Sequence, residues 1–249
     1  EDDDEDGDSE ASAPTLSRQQ TLSEAGVPWT KKVLKKARGA DHAKVMRQLV
    51  VSTGGEDEAE HSHSFSFKSE PPVLISFDDL AAMRPGLAFN LADAVITPFE
   101  NYRNSLTPDV RHLLAKYRVV DGARKVVGVG SVGTRCFVVL LVGQHAYDFL
   151  FIQVKEASKS CVEVCFPEFS TAIRERFAIT SHGARVVVGQ RIMQASSDPF
   201  LGHAPGFDET RHFYFRQLKD MKGSVEPEKL SPTQMFQYAT LCGWTLARC

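Results

Sequence analysis

Residues 117–142 read YRVVDGARKVV (117–127), GVGSVG (128–133) and TRCFVVLLV (134–142), and these three pieces decide the fold. The outer two are dense in β-branched and apolar residues and read as strands; the inner one is a glycine-rich turn. TRCFVVLLV has no polar face at helical spacing, so the chain leaves the glycines as a strand and the three pieces form an antiparallel hairpin. DFLFIQVK (148–155) reads as a third strand and RHFYFRQL (211–218) as a fourth. Helical patterns flank them at 29–51, 93–117, 183–196 and 232–248. Pro108 suits a first helical position with Thr107 as N-cap, so the second pattern breaks there; Ser231-Pro232 opens the last. The class is α+β: an antiparallel sheet with flanking helices.

Glycines serve where backbone amides must come close to phosphate oxygens, because no side chain intrudes and positive φ is open to them. Gly128-x-Gly130-x-x-Gly133 matches a dinucleotide fingerprint by letter, and Glu156 lies roughly where the acid of that fingerprint falls. That Rossmann-type alternative requires a helix over 134–142. A hairpin that closes over phosphates is the other use of such a loop, found in kinase-like small lobes, and it predicts a lysine on the next strand. Lys155 stands there, in an apolar strand where a cation needs a carboxylate or phosphate partner. The expected nucleotide contacts are therefore Gly128, Gly130, Ser131, Gly133, Thr134 and Lys155. The following helix, GARVVVGQRIMQAS, holds no acid to pair with Lys155, and Gln190 and Gln194 are its acceptors. The stretch RQLKDMKG (216–223) places Arg216, Asp220 and Lys222 at a strand end as supporting candidates. No catalytic Asp with metal-holding Asn or Asp follows in the kinase pattern, and no Ser-His-Asp or Cys-His arrangement has local support.

Composition narrows the classes further. The chain has 249 residues and a net charge of −3, but eight of its 32 acids sit in the first ten residues. Beyond these, 24 acids face 29 bases, a body of +5 behind an acidic tail. The basic face of 29–51 reads as solvated rather than as a nucleic-acid contact. Five cysteines, an odd number, argue against a disulfide framework and for a reducing compartment, with the cytoplasm as the expected location. Cys161-x-x-x-Cys165 and His61-Ser62-His63 lack a second ligand pair at metal spacing, so no metal site is expected. No run of eighteen apolar residues marks a membrane span.

Three segments follow: an acidic tail and linker over 1–28, a mainly helical stretch with loops over 29–116, and the sheet with its helices over 117–249. The run from Tyr102 to Arg248 resembles a bacterial family, domain-of-unknown-function family 2252. RHLLAKYRVVDGARKVVGVGSVGTR (Arg111 to Arg135), QVKEA (Gln153 to Ala157), GQRIMQA (Gly189 to Ala195), RQLKDMKGS (Arg216 to Ser224) and LCGWTLAR (Leu241 to Arg248) carry the resemblance. Weaker similarity reaches back to Trp29, and the acidic tail is expected to lie outside it. The resemblance implies a protein-kinase-like fold, with ATP and magnesium as ligands. It also implies that Gly-Asp-x-His-x-x-Asn and Asn-Asp-Phe-Asp segments precede the glycine loop in longer members, and that this chain starts after both and stops short of the family's continuation. On that expectation the chain is the nucleotide-binding part of a phosphotransferase, acting on an unknown small molecule or protein and incomplete as a catalyst. The alternative is a kinase-shaped binding or scaffold domain without catalysis.

Overall fold

The computed structural model describes residues 42–53, 64–83, 97–126, 128, 133–145, 148–194, 196–206, 210–218 and 225–249. A helix α1 (His42–Leu49) leads into a two-stranded antiparallel ribbon, β1 (Val50–Thr53) and β2 (Ser64–Phe67). Next come β3 (Leu74–Ser76), α2 (Phe77–Met83), α3 (Thr97–Asn104) and α4 (Pro108–Leu114). The glycine hairpin follows as β4 (Arg118–Lys125) and β5 (Cys136–Val142), then β6 (Phe149–Ala157). Helices α5 (Cys161–Cys165), α6 (Pro167–Arg176) and α7 (His182–Met193) precede β7 (Gly202–Pro205) and β8 (His212–Gln217), and α8 (Pro232–Ala247) ends the chain. All pairings are antiparallel, and the larger sheet has the order β3-β4-β5-β6-β8-β7. The protein is α+β, an antiparallel sheet with flanking helices.

The sheet is covered on both faces, which explains why β5 and β6 are apolar almost throughout rather than alternating. On one face Phe137, Val139, Leu141, Leu150, Ile152, Phe213 and Phe215 meet α3 and α4 through Phe99, Tyr102, Leu106, Val110 and Leu114. Tyr102 is wholly buried, stacks on Phe215 with centroids 4.3 Å apart, and donates its hydroxyl to the Phe200 carbonyl at 2.7 Å. On the other face Val138, Leu140, Val142, Phe149 and Phe151 are roofed by Val50, Phe65 and Phe67 of the ribbon. Asp121 ties that roof down: its carboxylate accepts the Phe67 amide at 2.7 Å.

Thr107 is the N-cap of α4 and Pro108 its first residue, so the helical run expected over 93–117 is two helices parted at 105–107. The Thr107 side chain makes no capping hydrogen bond to the helix backbone. Of the helix expected over 29–51, residues 29–41 lie outside the described residues; the described part, His42–Leu49, gives way to β1, where Val50 is buried against the sheet. The stretch 29–116 also carries β1, β2 and β3.

Candidate functional site

The described chain on either side of the glycine loop is held by hydrogen bonds. At its entry the Val126 amide donates to the Val73 carbonyl at 2.8 Å. At its exit Arg135 is bound to Glu156: the Glu156 amide donates to the Arg135 carbonyl at 2.9 Å, and the Arg135 amide donates to Glu156 Oε2 at 3.0 Å. Gly128 has φ +144° and Gly133 φ +83°, and a Cβ at either would meet nothing within 4 Å. These glycines answer to backbone conformation rather than to crowding. Thr134 is exposed beside them. Gly130 and Ser131 lie outside the described residues, as do Asp220 and Lys222.

After the loop comes β5, a strand. A dinucleotide-binding unit needs a helix here, so the Rossmann alternative is corrected: CFVVLLV is buried between two covered faces, which favours extended, β-branched chain. Glu156, placed where that unit would hold a ribose, instead binds Arg135 and lies 3.9 Å from Arg211.

Register puts the polar candidates on one face. Cys136 pairs with Lys155, Lys155 with Tyr214 and Tyr214 with His203; two residues along, Gln153 pairs with Arg216. Side chains two apart on a strand share a face, so Cys136, Gln153, Lys155, Tyr214 and Arg216 stand together. This is the face whose far half the ribbon roofs. Arg216 donates from Nε to Gln153 Oε1 at 3.0 Å, which satisfies an amide that is 5% exposed. Burial pushes the Cys136 thiol upward, while Lys155, Arg216 and Lys125 pull against it. Lys155 lies directly opposite Cys136 in the ladder, and Arg216 stands on the same face. Burial likewise raises the Tyr214 phenol, with Arg216 opposing.

Helix α7 lies on this same face, at the β7–β8 edge. A Cβ at Gly183 would come within 3.1 Å of His203 Cβ, and the His182 and His212 rings are 5.4 Å apart. Its residues HGARVVVGQRIM include Gln190 and no acid. The acid nearest its start is Glu163 on α5, 8% exposed. Glu163 accepts from the Ser160 amide at 3.0 Å and from Arg174 at 2.5 Å, and it lies 3.7 Å from Arg185 and 3.5 Å from His182. The Ser160–Glu163 spacing is a capping box, a signal present in the sequence before α5. Gln153 and Tyr214 are reachable by stepping in twos from Lys155 and Arg216, whereas Cys136 comes only from the register of β5 on β6.

Among the described residues no group of three or more His, Cys, Asp or Glu could hold a metal ion, and no helix is long and apolar enough to cross a membrane. All five cysteines are free thiols, Cys136 buried and the others exposed. Comparison with curated proteins and with solved structures returns no match. A family model described as uncharacterized protein conserved in bacteria (DUF2252) matches residues 2–249, so the acidic run expected outside the family falls within the match. The chain belongs to that family.

Proposed function

We propose that this chain is the nucleotide-binding part of a kinase-like phosphotransferase, holding the phosphates of ATP between the glycine loop and a basic patch built on Lys155 and Arg216. The observation that carries this reading is the register that sets Lys155 and Arg216 on one sheet face with Cys136, beside a hairpin loop whose described glycines, Gly128 and Gly133, have positive φ. Backbone amides and nearby cations are what bind phosphate oxygens. The topology supports it too. The lysine strand is central, and α7, which follows it in sequence, packs on the lysine's face, as the corresponding helix does in kinases. Gly130, Ser131, Asp220 and Lys222 belong to the same proposal by sequence, and Gln190 is the candidate on α7. Magnesium enters as the counter-ion of the nucleotide, since the described residues offer no acidic cluster for it. Free thiols suit a reducing, cytoplasmic setting.

Titration of the protein with magnesium–ATP tests this, alongside Lys155→Met and Gly133→Val. Losing one charge-assisted contact costs about 1.5–3 kcal/mol, so Lys155→Met should bind roughly 10–100-fold more weakly. Unchanged affinity in both variants sinks the reading.

One observation favours a second reading, a binding or scaffold domain without catalysis: α7 offers no acid for the lysine–glutamate pair that active kinases use. Nucleotide binding without any phosphoryl transfer or hydrolysis would select it; turnover would exclude it.

A further inference from the structure

We infer that Glu156 is a positioning residue that fixes the exit of the glycine loop at Gly133–Arg135, a role that rests on the nucleotide reading above. Glu156 adjoins Lys155 on β6 but points to the opposite face, so it does not share the lysine's surface. Its contacts gather on one residue, the first beyond Thr134. Arg135 gives Glu156 its backbone amide, accepts the Glu156 amide at its carbonyl, and places Nη1 at 3.4 and 3.2 Å from the two carboxylate oxygens. Arg211, just before β8, flanks the same carboxylate at 3.9 Å.

An ordinary surface ion pair contributes little, about 0–1 kcal/mol. Here the carboxylate side chain is only 16% exposed and also holds a main-chain amide, which a surface pair does not do. That amide belongs to the point where the loop rejoins the sheet. The entry is held by main chain alone, through Val126 and Val73. The exit is held by one main-chain bond, Glu156 amide to Arg135 carbonyl, and by the Glu156 side chain, so a single substitution can remove the second without touching the first. A Cβ at Gly133, two residues earlier, would meet nothing within 4 Å, so a side chain is not excluded there by crowding.

Charge and position predict opposite effects, which makes the role testable. Removing a carboxylate near a phosphate site should, by charge alone, tighten anion binding. Removing a clamp should weaken it, because the loop's amides must then be ordered at the moment of binding. Magnesium–ATP titration of the full chain with Glu156→Ala, Glu156→Asp and Glu156→Gln separates the two. Glu156→Ala and Glu156→Asp should weaken affinity about 5–10-fold, whereas Glu156→Gln, whose amide oxygen still reaches the Arg135 amide, should stay near the parent. Amide hydrogen exchange at Gly133, Thr134 and Arg135 should quicken in the first two and not in the third. Tighter or unchanged binding by Glu156→Ala overturns the role, as does equal loss in all three variants. If the parent protein binds no magnesium–ATP, the nucleotide reading falls, and the exchange rates alone decide: faster exchange in Glu156→Ala keeps the clamp, and unchanged exchange overturns it.

Discussion

Lys155 and the two described glycines are legible from sequence because each is anomalous where it stands: a cation in an apolar strand, and residues without side chains between two bulky runs. Gly122 is a different kind of glycine. A Cβ there would lie 2.4 Å from Phe77 Cε2 and 2.8 Å from Cδ2. Phe77 is 4% exposed and set edge-on against Phe137 at 5.7 Å, so its ring has nowhere to retreat. Overpacking of this kind costs about 1–3 kcal/mol, whereas the entropy lost from the unfolded chain on Gly→Ala returns only about 0.4–1 kcal/mol. Gly122→Ala is therefore expected to lower the urea midpoint, with the slope unchanged. Nothing in GARK announces this, because the ring that demands the glycine comes from α2, 45 positions earlier. Glu156 shows the same limit of local sequence. Spacing offers it only as the acid of the Rossmann alternative, and its bonds to Arg135 come from the register of β5 on β6.

The corner formed by α5, α6 and the start of α7 is the element that sequence reading passed over, although its capping box was visible. Apolar periodicity is weak in VEVC and PEFSTAIRER, and polar contacts hold the corner instead. Glu163 collects Ser160, Arg174, Arg185 and His182. Burial raises its carboxyl, but the Ser160 amide and the Arg174 guanidinium outweigh this and hold it below the usual carboxylate range. Burial lowers His182; Glu163 opposes, while Arg174, His212 and Arg185 add to the lowering. Both groups bind fewer protons folded than unfolded, so each contributes stability that is lost on acidification. For His182 the loss begins as pH drops through the ordinary value of 6.5, and for Glu163 as it drops through 4.5. Thermal unfolding followed against pH should thus decline in two stages. His182→Gln should flatten the upper stage and Glu163→Gln the lower. A profile with the same two stages in both variants would assign them to other groups.

At the scale of the whole molecule, the strands that were easiest to read are those buried on both faces, and the ones missed are short and depend on distant partners. VVST and SFSF become strands because Phe65 and Phe67 find Phe149 and Phe151 across the sheet, with ring centroids 4.9 and 6.2 Å apart. GHAP becomes β7 because Tyr102 and Ser105 press on Gly202 and β8 offers a free edge. None of that is local information. It also bears on how the protein unfolds. Leu140 and Leu141 are neighbours in sequence and both fully buried, yet one belongs to the core under the ribbon and the other to the core under α3 and α4. A single strand thus supplies both cores, and neither can open without disturbing the ladder they share. Leu140→Ala and Leu141→Ala should each cost about 2–5 kcal/mol and should lower one common transition, seen alike by far-ultraviolet circular dichroism and by hydrogen exchange in β2 and α4. If Leu140→Ala instead frees the ribbon in a separate early step while α3 and α4 keep the parent midpoint, the two cores are independent and the sheet does not couple them. Coupling is the expected result, because the ribbon is bolted to β4 by Asp121 as well as by packing, and β4 gives Val119 to one core and Ala123 to the other.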